Sequence, residues 1–344
     1  MTVSPTSTLP RLAAPFAPLV DRFGRVHTDL RVSVTDRCPL RCRYCLPASG
    51  SAPADRSTLL TTDEIVRVVA VAVARGVTKI RLTGGEPLVR SDLVDLVARL
   101  AGLAPRPELC LTTSGIGLAE RAAVLAAAGL DRVTVSLDTL DPEEYTRLTG
   151  RRRLDDVLAG IAALRQAGHT RTKVNAVMVR GLTERAAPRL LDWAVADGLE
   201  LRFIEQMPLG GSPWRREDLL TAAELLDLLG ARHRLTAVPD LSGAPATRYR
   251  VDDGPAHLGI IAAVTRPFCG DCSRLRLTAD GQLRACLFAT DEVDLRAVLR
   301  GDAPATDEQI SQTLARCVDG KAAGHGIGRA GFRPPARLMR AIGG

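Results

Sequence analysis

The chain has 344 residues, of which 46% are hydrophobic and 25% are charged, so it is long enough to bury a large core. Only 3% of the residues are aromatic, which argues against a nucleic-acid platform of stacked rings. The 46 basic residues exceed the 39 acidic ones and are spread along the chain. This pattern is typical of an arginine-rich soluble protein, or of one with an anionic small-molecule ligand, rather than of a DNA-binding protein.

The N-terminal segment gives an expectation about location. Residues 1–20 are rich in Pro, Ala and Thr and lack a basic stretch followed by an apolar one. We therefore predict a disordered tail rather than a signal peptide. No run reaches the roughly 18 apolar residues that a membrane helix needs. We expect a cytoplasmic protein whose thiols stay reduced.

Apolar periodicity predicts alternating strands and helices. The predicted strands cover residues 30–35, 77–83, 108–113, 132–137, 172–179 and 199–205, and the predicted helices cover residues 62–75, 91–100, 119–128, 154–167 and 184–196. Six such units favour an α/β fold with a parallel sheet, closed into a barrel or partial barrel. The alternation breaks near residue 235. We therefore divide the chain into the tail, a core over residues 21–234 and a smaller C-terminal region over residues 235–344.

Six of the eight cysteines form two groups, with the spacings C-x3-C-x2-C and C-x2-C-x13-C: Cys38, Cys42 and Cys45, then Cys269, Cys272 and Cys286. Neither group has a nearby histidine that could complete the four ligands of a structural zinc ion. Three thiolates per group favour an iron–sulfur cluster with one iron free of protein ligands. The remaining two, Cys110 and Cys317, lie in apolar patterns and are predicted to be buried core thiols.

Polar residues follow the predicted strands. Because ligands of parallel α/β barrels sit at the carboxyl ends of the strands, we expect these residues to converge on one rim. They are the first cysteine group, residues 84–87, residues 112–114, Ser136, Asp138, Lys173, Asn175 and residues 205–207. The Gly84-Gly85 pair either forms a turn or lets the backbone approach a ligand. The chain has no P-loop and no G-x-G-x-x-G motif, so a nucleotide would be held in another way.

The first cysteine group, with Tyr44 before its last cysteine, resembles the radical S-adenosylmethionine (SAM) superfamily, as does Gly84-Gly85-Glu86-Pro87. Residues 21–38, residues 268–288 and the C-terminal Gly343-Gly344 are similar to the GTP 3′,8-cyclase family. The similarity runs from about residue 21 to residue 344. It implies a partial (β/α)6 TIM-like barrel and a smaller C-terminal region that carries a second cluster.

This resemblance implies a lyase that uses SAM and two [4Fe–4S] clusters in the first step of molybdenum cofactor biosynthesis. In such enzymes a 5′-deoxyadenosyl radical removes the hydrogen at C3′ of GTP. The C3′ radical then attacks C8 of guanine, and one-electron reduction and protonation give (8S)-3′,8-cyclo-7,8-dihydroguanosine 5′-triphosphate. The implied partners are GTP, a flavodoxin- or ferredoxin-like electron donor and, as next enzyme, cyclic pyranopterin monophosphate synthase. Neither nucleic acid nor a membrane is expected, and the chain would be a monomer or a homodimer.

The resemblance also assigns roles to individual residues. The two cysteine groups would each bind a cluster, and the iron left open in the second would contact guanine. The SAM contacts would be Tyr44, Gly85, Ser136 and Met207. The GTP contacts would be Arg31, Arg81, Thr112, Lys173, Arg274 and Arg276, five of them cations that suit a triphosphate. Gly343 and Gly344 would reach into the site as catalytic residues.

Three alternatives remain open at this point. The chain could be another radical SAM enzyme with an auxiliary cluster, such as one that modifies peptides, and GTP binding would distinguish the two. It could be a zinc or iron–sulfur scaffold without activity, which SAM cleavage would exclude. It could also be a degenerate paralogue.

Overall fold

A computed structural model describes residues 16–46, 52–209, 214–239 and 244–343. The strands are β1 (Asp29–Ser33), β2 (Lys79–Thr83), β3 (Glu108–Thr113), β4 (Arg132–Ser136), β5 (Lys173–Met178), β6 (Glu200–Glu205), β7 (Leu235–Val238), β8 (Thr247–Val251), β9 (His257–Ile261), β10 (Arg274–Leu277), β11 (Gln282–Arg284) and β12 (Val293–Asp294). The helices are α1 (Thr62–Ala74), α2 (Leu93–Ala101), α3 (Ala122–Ala127), α4 (Pro142–Thr149), α5 (Leu154–Gln166), α6 (Ala187–Ala196), α7 (Ala222–Gly230), α8 (Leu295–Leu299), α9 (Asp307–Asp319) and α10 (Met339–Ile342).

All strands join one sheet, in the order β12-β11-β10-β1-β2-β3-β4-β5-β6-β9-β8-β7. The eight central strands, from β10 through β1–β6 to β9, pair in parallel. Antiparallel strands extend both edges. Within the described ranges β9 does not pair with β10. A single cavity is lined by residues from all eight parallel strands, so the sheet curves around it.

The six predicted strands and five predicted helices are confirmed, with ends that shift by a few residues. In the core, α4 and α7 were missed, and no helix bounds were predicted after residue 235, where α8, α9 and α10 lie. The C-terminal region does not form a separate unit beside the sheet, because β9 and β10 extend the parallel sheet on its two sides. This pairing joins residues far apart in the chain, and the local pattern does not report it.

The sequences of the strands explain why one face of the sheet is apolar and the other is polar. In β1 and β2, Leu30, Val32, Ile80 and Leu82 are fully buried in the same apolar cluster as Ile65 of α1. Side chains of a strand alternate between its faces, so the residues between them point to the inner face. That face carries charged and hydroxyl side chains, whereas the interior of a closed (β/α)8 barrel is usually packed with branched apolar residues.

The ends of the chain pack more closely than expected. Residues 1–15 of the predicted tail lie outside the described residues, but Leu19 is fully buried and its N–H donates to the carbonyl of Arg75. Val20 pairs with Val26 in an isolated bridge. The packed structure therefore begins before Asp21.

The predicted burial of Cys110 and Cys317 is confirmed. In the described ranges no helix is long and apolar enough to cross a membrane.

We expect Phe203→Ala to lower the free energy of unfolding by about 3 to 5 kcal/mol, because Phe203 of β6 is a fully buried side chain and its loss leaves a cavity. The check is the midpoint of chemical unfolding at matched cluster content. Val124 of α3 is 48% exposed, so Val124→Ala serves as the control and should change stability by less than about 0.5 kcal/mol. Equal losses in both variants would contradict the assigned core.

Candidate active site

The first cysteine group lies at the carboxyl ends of the parallel strands, in the loop that follows β1. The β2 loop holds it there: the N–H of Gly85 donates to the carbonyl of Thr35 at 2.7 Å, and that of Glu86 to Arg37 at 2.7 Å. A Cβ atom on Gly84 would lie 2.1 Å from the Thr35 oxygen, and one on Gly85 would lie 2.3 Å from that of Arg37. The glycine pair is therefore required by the approach of two loops of this chain. Both glycines also line the cavity.

Other elements anchor the same loop. The N–H groups of Arg41 and Arg43 donate to the carbonyls at the end of α4. The Tyr44 hydroxyl donates to a carboxylate oxygen of Asp138, at 2.6 Å. Burial raises the pKa of Asp138 to about 6, although the bond from Tyr44 opposes this shift. Burial also raises the pKa of the Cys38 thiol to about 12, so this ligand loses its proton only when a cation binds.

Two buried glutamates at this end accept hydrogen bonds from backbone N–H groups instead of facing the cavity. Glu86 accepts from the N–H groups of Leu88 and Ser114 and from the hydroxyl of Thr113. Glu205 accepts from three N–H groups and from the Thr265 hydroxyl. Neither glutamate lines the cavity. Both glutamates lie on the rim as expected, but they do not face the cavity, because each meets donors of its own adjoining loops.

The second cysteine group lies at the opposite end of the parallel strands. Cys272 stands two residues before Arg274, which begins β10 and pairs with Asp29, the first residue of β1. The antiparallel β11 then returns the chain so that Cys286 reaches the same end. The rule that places ligands at the carboxyl ends of strands gave no position for this group. Its location depends on the parallel pairing of β10 with β1.

Cations surround Cys272. The ammonium of Lys321 lies 3.5 Å from its sulfur and donates to the carbonyl of Arg274 at 2.6 Å. Burial opposes ionisation, but Arg274 and Lys321 outweigh it and lower the pKa of Cys272 to about 7. A thiolate, the form that binds metal, is therefore accessible at neutral pH. Sequence reasoning missed Lys321; the only local signal was that it is one of three lysines in the chain.

One cavity of about 1100 Å³ connects the two cysteine groups. That volume suits a ligand of drug size or larger. All sixteen residues predicted as cluster, SAM or GTP contacts line it: Arg31, Cys38, Cys42, Tyr44, Cys45, Arg81, Gly85, Thr112, Ser136, Lys173, Met207, Cys269, Cys272, Arg274, Arg276 and Cys286. The predicted SAM contacts stand at the carboxyl ends of strands, and the predicted GTP contacts stand along the strands between the two cysteine groups.

A ring of charges lies at the amino ends of β1–β6, where every strand begins with an ionisable residue. The ring is Asp29, Lys79, Glu108, Arg132, Lys173 and Glu200. Three ion pairs close it: Lys79 with Asp29 at 3.2 Å, Arg132 with Glu108, and Lys173 with Glu200 at 2.7 Å. Arg202 also binds Glu200. Of these, sequence reasoning found only Lys173; the signal for the others was their shared inward position.

Above the ring the cavity is strongly positive. Burial and the neighbouring Arg276 and Arg274 lower the pKa of Arg31. Burial, and then Arg274, lower that of Arg276 to about 10. Among the described residues no hydrogen-bond partner is found for Nε of Arg31, Oδ1 of Asn175 or Oγ of Ser114. Buried polar groups are nearly always paired, so these atoms indicate a polar ligand in this space, and Nε of Arg31 requires a hydrogen-bond acceptor.

Met339 and Arg340 of α10 line this space, whereas Gly343 lies beside it, against Ser33 and Thr83. The carbonyl of Gly343 accepts a hydrogen bond from the Arg276 guanidinium. Gly343 has φ +80°, and a Cβ there would lie 2.2 Å from the Ser33 hydroxyl and 2.8 Å from a methyl of Thr83. Only glycine fits such a position. Gly344 lies outside the described residues.

The Radical SAM superfamily pattern matches residues 32–194, and that of Molybdenum Cofactor Synthesis C matches residues 199–327. A GTP 3′,8-cyclase from Streptomyces coelicolor is 54% identical over 330 residues, covering 95% of this chain and 96% of that protein. The chain belongs to the GTP 3′,8-cyclase family of radical SAM enzymes. A GTP 3′,8-cyclase from Mycobacterium sp. (strain KMS) is 51% identical over 355 residues, and the match covers 100% of both chains.

Solved structures agree on the fold. The crystal structure of Streptococcus suis SuiB bound to S-adenosylmethionine has a TM-score of 0.61 with this chain, at 15% identity. The match covers 90% of this chain and 69% of SuiB. At that identity the likeness concerns the fold alone.

A member of this family works with SAM and [4Fe–4S] clusters, and the residues present fit them. All six grouped cysteines are free thiols that line the cavity. A single zinc ion needs its sulfur ligands at about 2.3 Å from one point. In the described parts of the chain no three His, Cys, Asp or Glu side chains converge in that way. A cluster takes each thiolate on a different iron and so suits a wider triplet.

We expect Cys272→Ala to reduce the iron content of the anaerobically reconstituted protein from about eight to about four atoms per chain, because one cluster loses a ligand. Iron analysis and the visible absorbance of the clusters measure the change. The control is Cys317→Ala, which removes a buried thiol of α9 outside the cavity and should keep both clusters. A full iron count in the Cys272 variant would contradict the assignment of this group.

Proposed function

We propose that the chain converts GTP to (8S)-3′,8-cyclo-7,8-dihydroguanosine 5′-triphosphate, the first step of molybdenum cofactor biosynthesis. The observation that carries the proposal is one cavity with a cysteine triplet at each end and a belt of arginine and lysine between them. The identity to GTP 3′,8-cyclases over nearly the whole chain supports it.

We assign the SAM contacts to the carboxyl ends of the strands, beside the first cysteine group. Tyr44, which Asp138 orients, would contact SAM there, together with Gly85, Ser136 and Met207. When bound, SAM and the reduced first cluster supply a 5′-deoxyadenosyl radical. These residues would hold SAM in one orientation beside the first cysteine group.

We assign the GTP contacts to the space between the cysteine groups. Arg274 and Arg276 follow Cys272 on β10, so they would hold a nucleotide whose base contacts the second cluster. Arg31, Arg81 and Lys173 would bind the triphosphate as cations. Arg81 donates to the Thr112 hydroxyl at 3.2 Å, which fixes the guanidinium across the cavity.

The ion pair of Lys173 has a consequence for phosphate binding. Burial, and then Arg202, lower the pKa of Lys173 to about 8, and Glu200 opposes this shift. The lysine therefore stays mostly charged at pH 7 and loses its proton above about pH 8. Held in this way, Lys173 needs little reordering to meet a phosphate.

The C-terminal glycines would shield the reacting atoms. Gly343 fills the space beside Ser33 and Thr83 and takes one hydrogen bond of Arg276. Packed in this way, the glycine backbone would keep water away from this side of the site.

We expect removal of Gly343 and Gly344 to abolish cyclisation while both clusters remain, because Arg276 loses its backbone acceptor and the cavity opens to water. Product analysis and iron content of the same preparation measure the two effects. Arg333→Lys, at an exposed position of the same C-terminal segment that does not line the cavity, keeps the glycines and serves as the control. Full cyclisation by the truncated chain would contradict the role of the glycines.

Anaerobic turnover tests the function itself. The reconstituted protein is incubated with SAM, dithionite and GTP, with ATP as the control nucleotide, and 5′-deoxyadenosine and nucleotide products are analysed by mass spectrometry. GTP-dependent 5′-deoxyadenosine with a new product isomeric with GTP supports the proposal. SAM cleavage without conversion of GTP assigns another substrate. No cleavage with both clusters loaded indicates a degenerate copy or a scaffold.

We further propose a flavodoxin- or ferredoxin-like electron donor, and cyclic pyranopterin monophosphate synthase as the enzyme that takes up the product. We place the reaction in the cytoplasm, where thiols stay reduced. A monomer or a homodimer would suffice, since the residues assigned to the site all come from one chain.

A further inference from the structure

Positive charge is concentrated beside the first cysteine group. Residues 37–46, which contain that group, and residues 145–153 at the end of α4 hold seven arginines and no aspartate or glutamate. The seven equal the net charge of +7, so the rest of the chain carries as many acidic as basic residues. The expectation that basic residues are spread along the chain is therefore wrong at this place.

The two segments form one surface. The N–H of Arg41 donates to the carbonyl of Thr149 at 2.8 Å, and the N–H of Arg43 donates to Leu148 at 3.1 Å. A Cβ on Gly150 would lie 3.5 Å from the Cβ of Arg41. Five exposed arginines lie on these two segments, and we call them the arginine patch: Arg41, Arg43, Arg147, Arg151 and Arg152. At one edge of the patch, Arg147 borders a shallow pocket with Asp141, Glu143 and Glu144. Arg153, beside them, is paired with Asp156.

The patch is the protein surface next to a cluster ligand. Arg41 and Arg43 flank Cys42 in the chain, and both are exposed while Cys42 faces the cavity. Substrates reach the cysteines from the cavity side. An electron donor too large to enter the cavity must therefore approach from outside, and transfer falls steeply with distance. The outer face of this loop offers a short path.

We propose that the arginine patch is the docking surface for a small acidic protein that carries one electron at a time. The proposal rests on the proposed function only in that the first cluster must be reduced. Charge complementarity would steer such a partner to the patch and speed its association. The carrier is oxidised by one electron and the cluster is reduced by one, and no proton or leaving group moves in this step.

The patch suits a single-stranded nucleic acid less well than it suits an acidic protein. Its two segments contain the aromatic residues Tyr44 and Tyr145. Tyr44 lines the cavity and is bonded to Asp138, and Tyr145 is buried. Bases would therefore have no exposed ring on which to stack in these segments. A protein with an acidic face needs only the charges.

The test uses Arg151→Glu with Arg152→Glu, a pair that touches neither the cysteines nor the cavity. The control is Arg232→Glu with Arg234→Glu, which makes the same change of charge. Those residues precede β7, at the amino ends of the parallel strands, opposite the patch. They are exposed and paired with Asp192 and Asp253, and such surface pairs contribute little to stability.

The probe is a reduced acidic flavodoxin, added to the anaerobic, cluster-loaded protein. Two quantities are measured: the dissociation constant of the complex and the rate at which flavodoxin bleaches the cluster absorbance. We expect the patch variant to weaken binding about tenfold and to slow reduction by a similar factor. Added salt should weaken binding to the unaltered protein more than to the patch variant. Reduced methyl viologen, a small cation, should reduce all three proteins without loss in the patch variant.

Equal losses in the patch and control variants, or none in the patch variant, would overturn the proposal. The proposal would also be overturned if a single-stranded RNA oligonucleotide bound more tightly than flavodoxin and if this RNA binding were lost only in the patch variant. Docking does not depend on the identity of the substrate. If flavodoxin docks at the patch but GTP is left unchanged, only the proposed function is contradicted. If the protein cyclises GTP but the patch variant binds flavodoxin as well as the unaltered protein does, only this inference is contradicted.

Discussion

The parallel pairing of β1 on both of its edges is the constraint on which the site depends. β2 pairs with one edge and β10 with the other, and the register aligns Asp29 with both Lys79 and Arg274. Because the three strands run the same way, the loop after β1 and the loop before β10 must lie at opposite ends of the sheet. One cysteine group follows β1 and the other precedes β10, so this pairing separates the two groups by the length of the strands.

The alternation of side chains along each strand then decides what fills the space between them. Outward residues such as Leu30, Ile80 and Phe203 form the core with the helices. Most inward residues are charged or carry hydroxyl groups, and these cannot be packed together without partners. The acidic members of the ring satisfy some cations, while Arg31 keeps an unpaired buried nitrogen. The interior therefore stays open, and it favours an anion.

The carboxyl rim divides its polar residues between two tasks. Glu86 and Glu205 are fully used in accepting hydrogen bonds from nearby backbone, which fixes the loops around them. Tyr44 and Asp138 form a bridge between the cysteine loop and the end of β4. A buried carboxylate is a stable anchor only when its oxygens are satisfied in this way. The cysteine loop is thus held both by Tyr44, which we assign to SAM, and by carboxylates that carry no ligand role.

Much of this protein could be predicted from the sequence because the evidence was local. Periodicity located the six strands and five helices, and the cysteine spacing with the residues around it identified a family and sixteen residues that line one cavity. Gly343 was also found from its motif, but its close contact with Ser33 was not. The helix α4 was missed because its eight residues carry a weak apolar pattern.

Contacts between residues far apart in the chain, by contrast, are visible only in the folded structure. The cysteine, glycine and arginine motifs, and the alternation of apolar residues along each strand, are local features that can be read from the sequence alone. Tertiary pairing decided that the second cysteine group faces the first across the cavity, that Lys321 approaches Cys272, and that the arginines of two segments meet beside Cys42. The physical reason is that a local pattern reports which face of a strand is buried, whereas register and strand order arise from the packing of the whole chain.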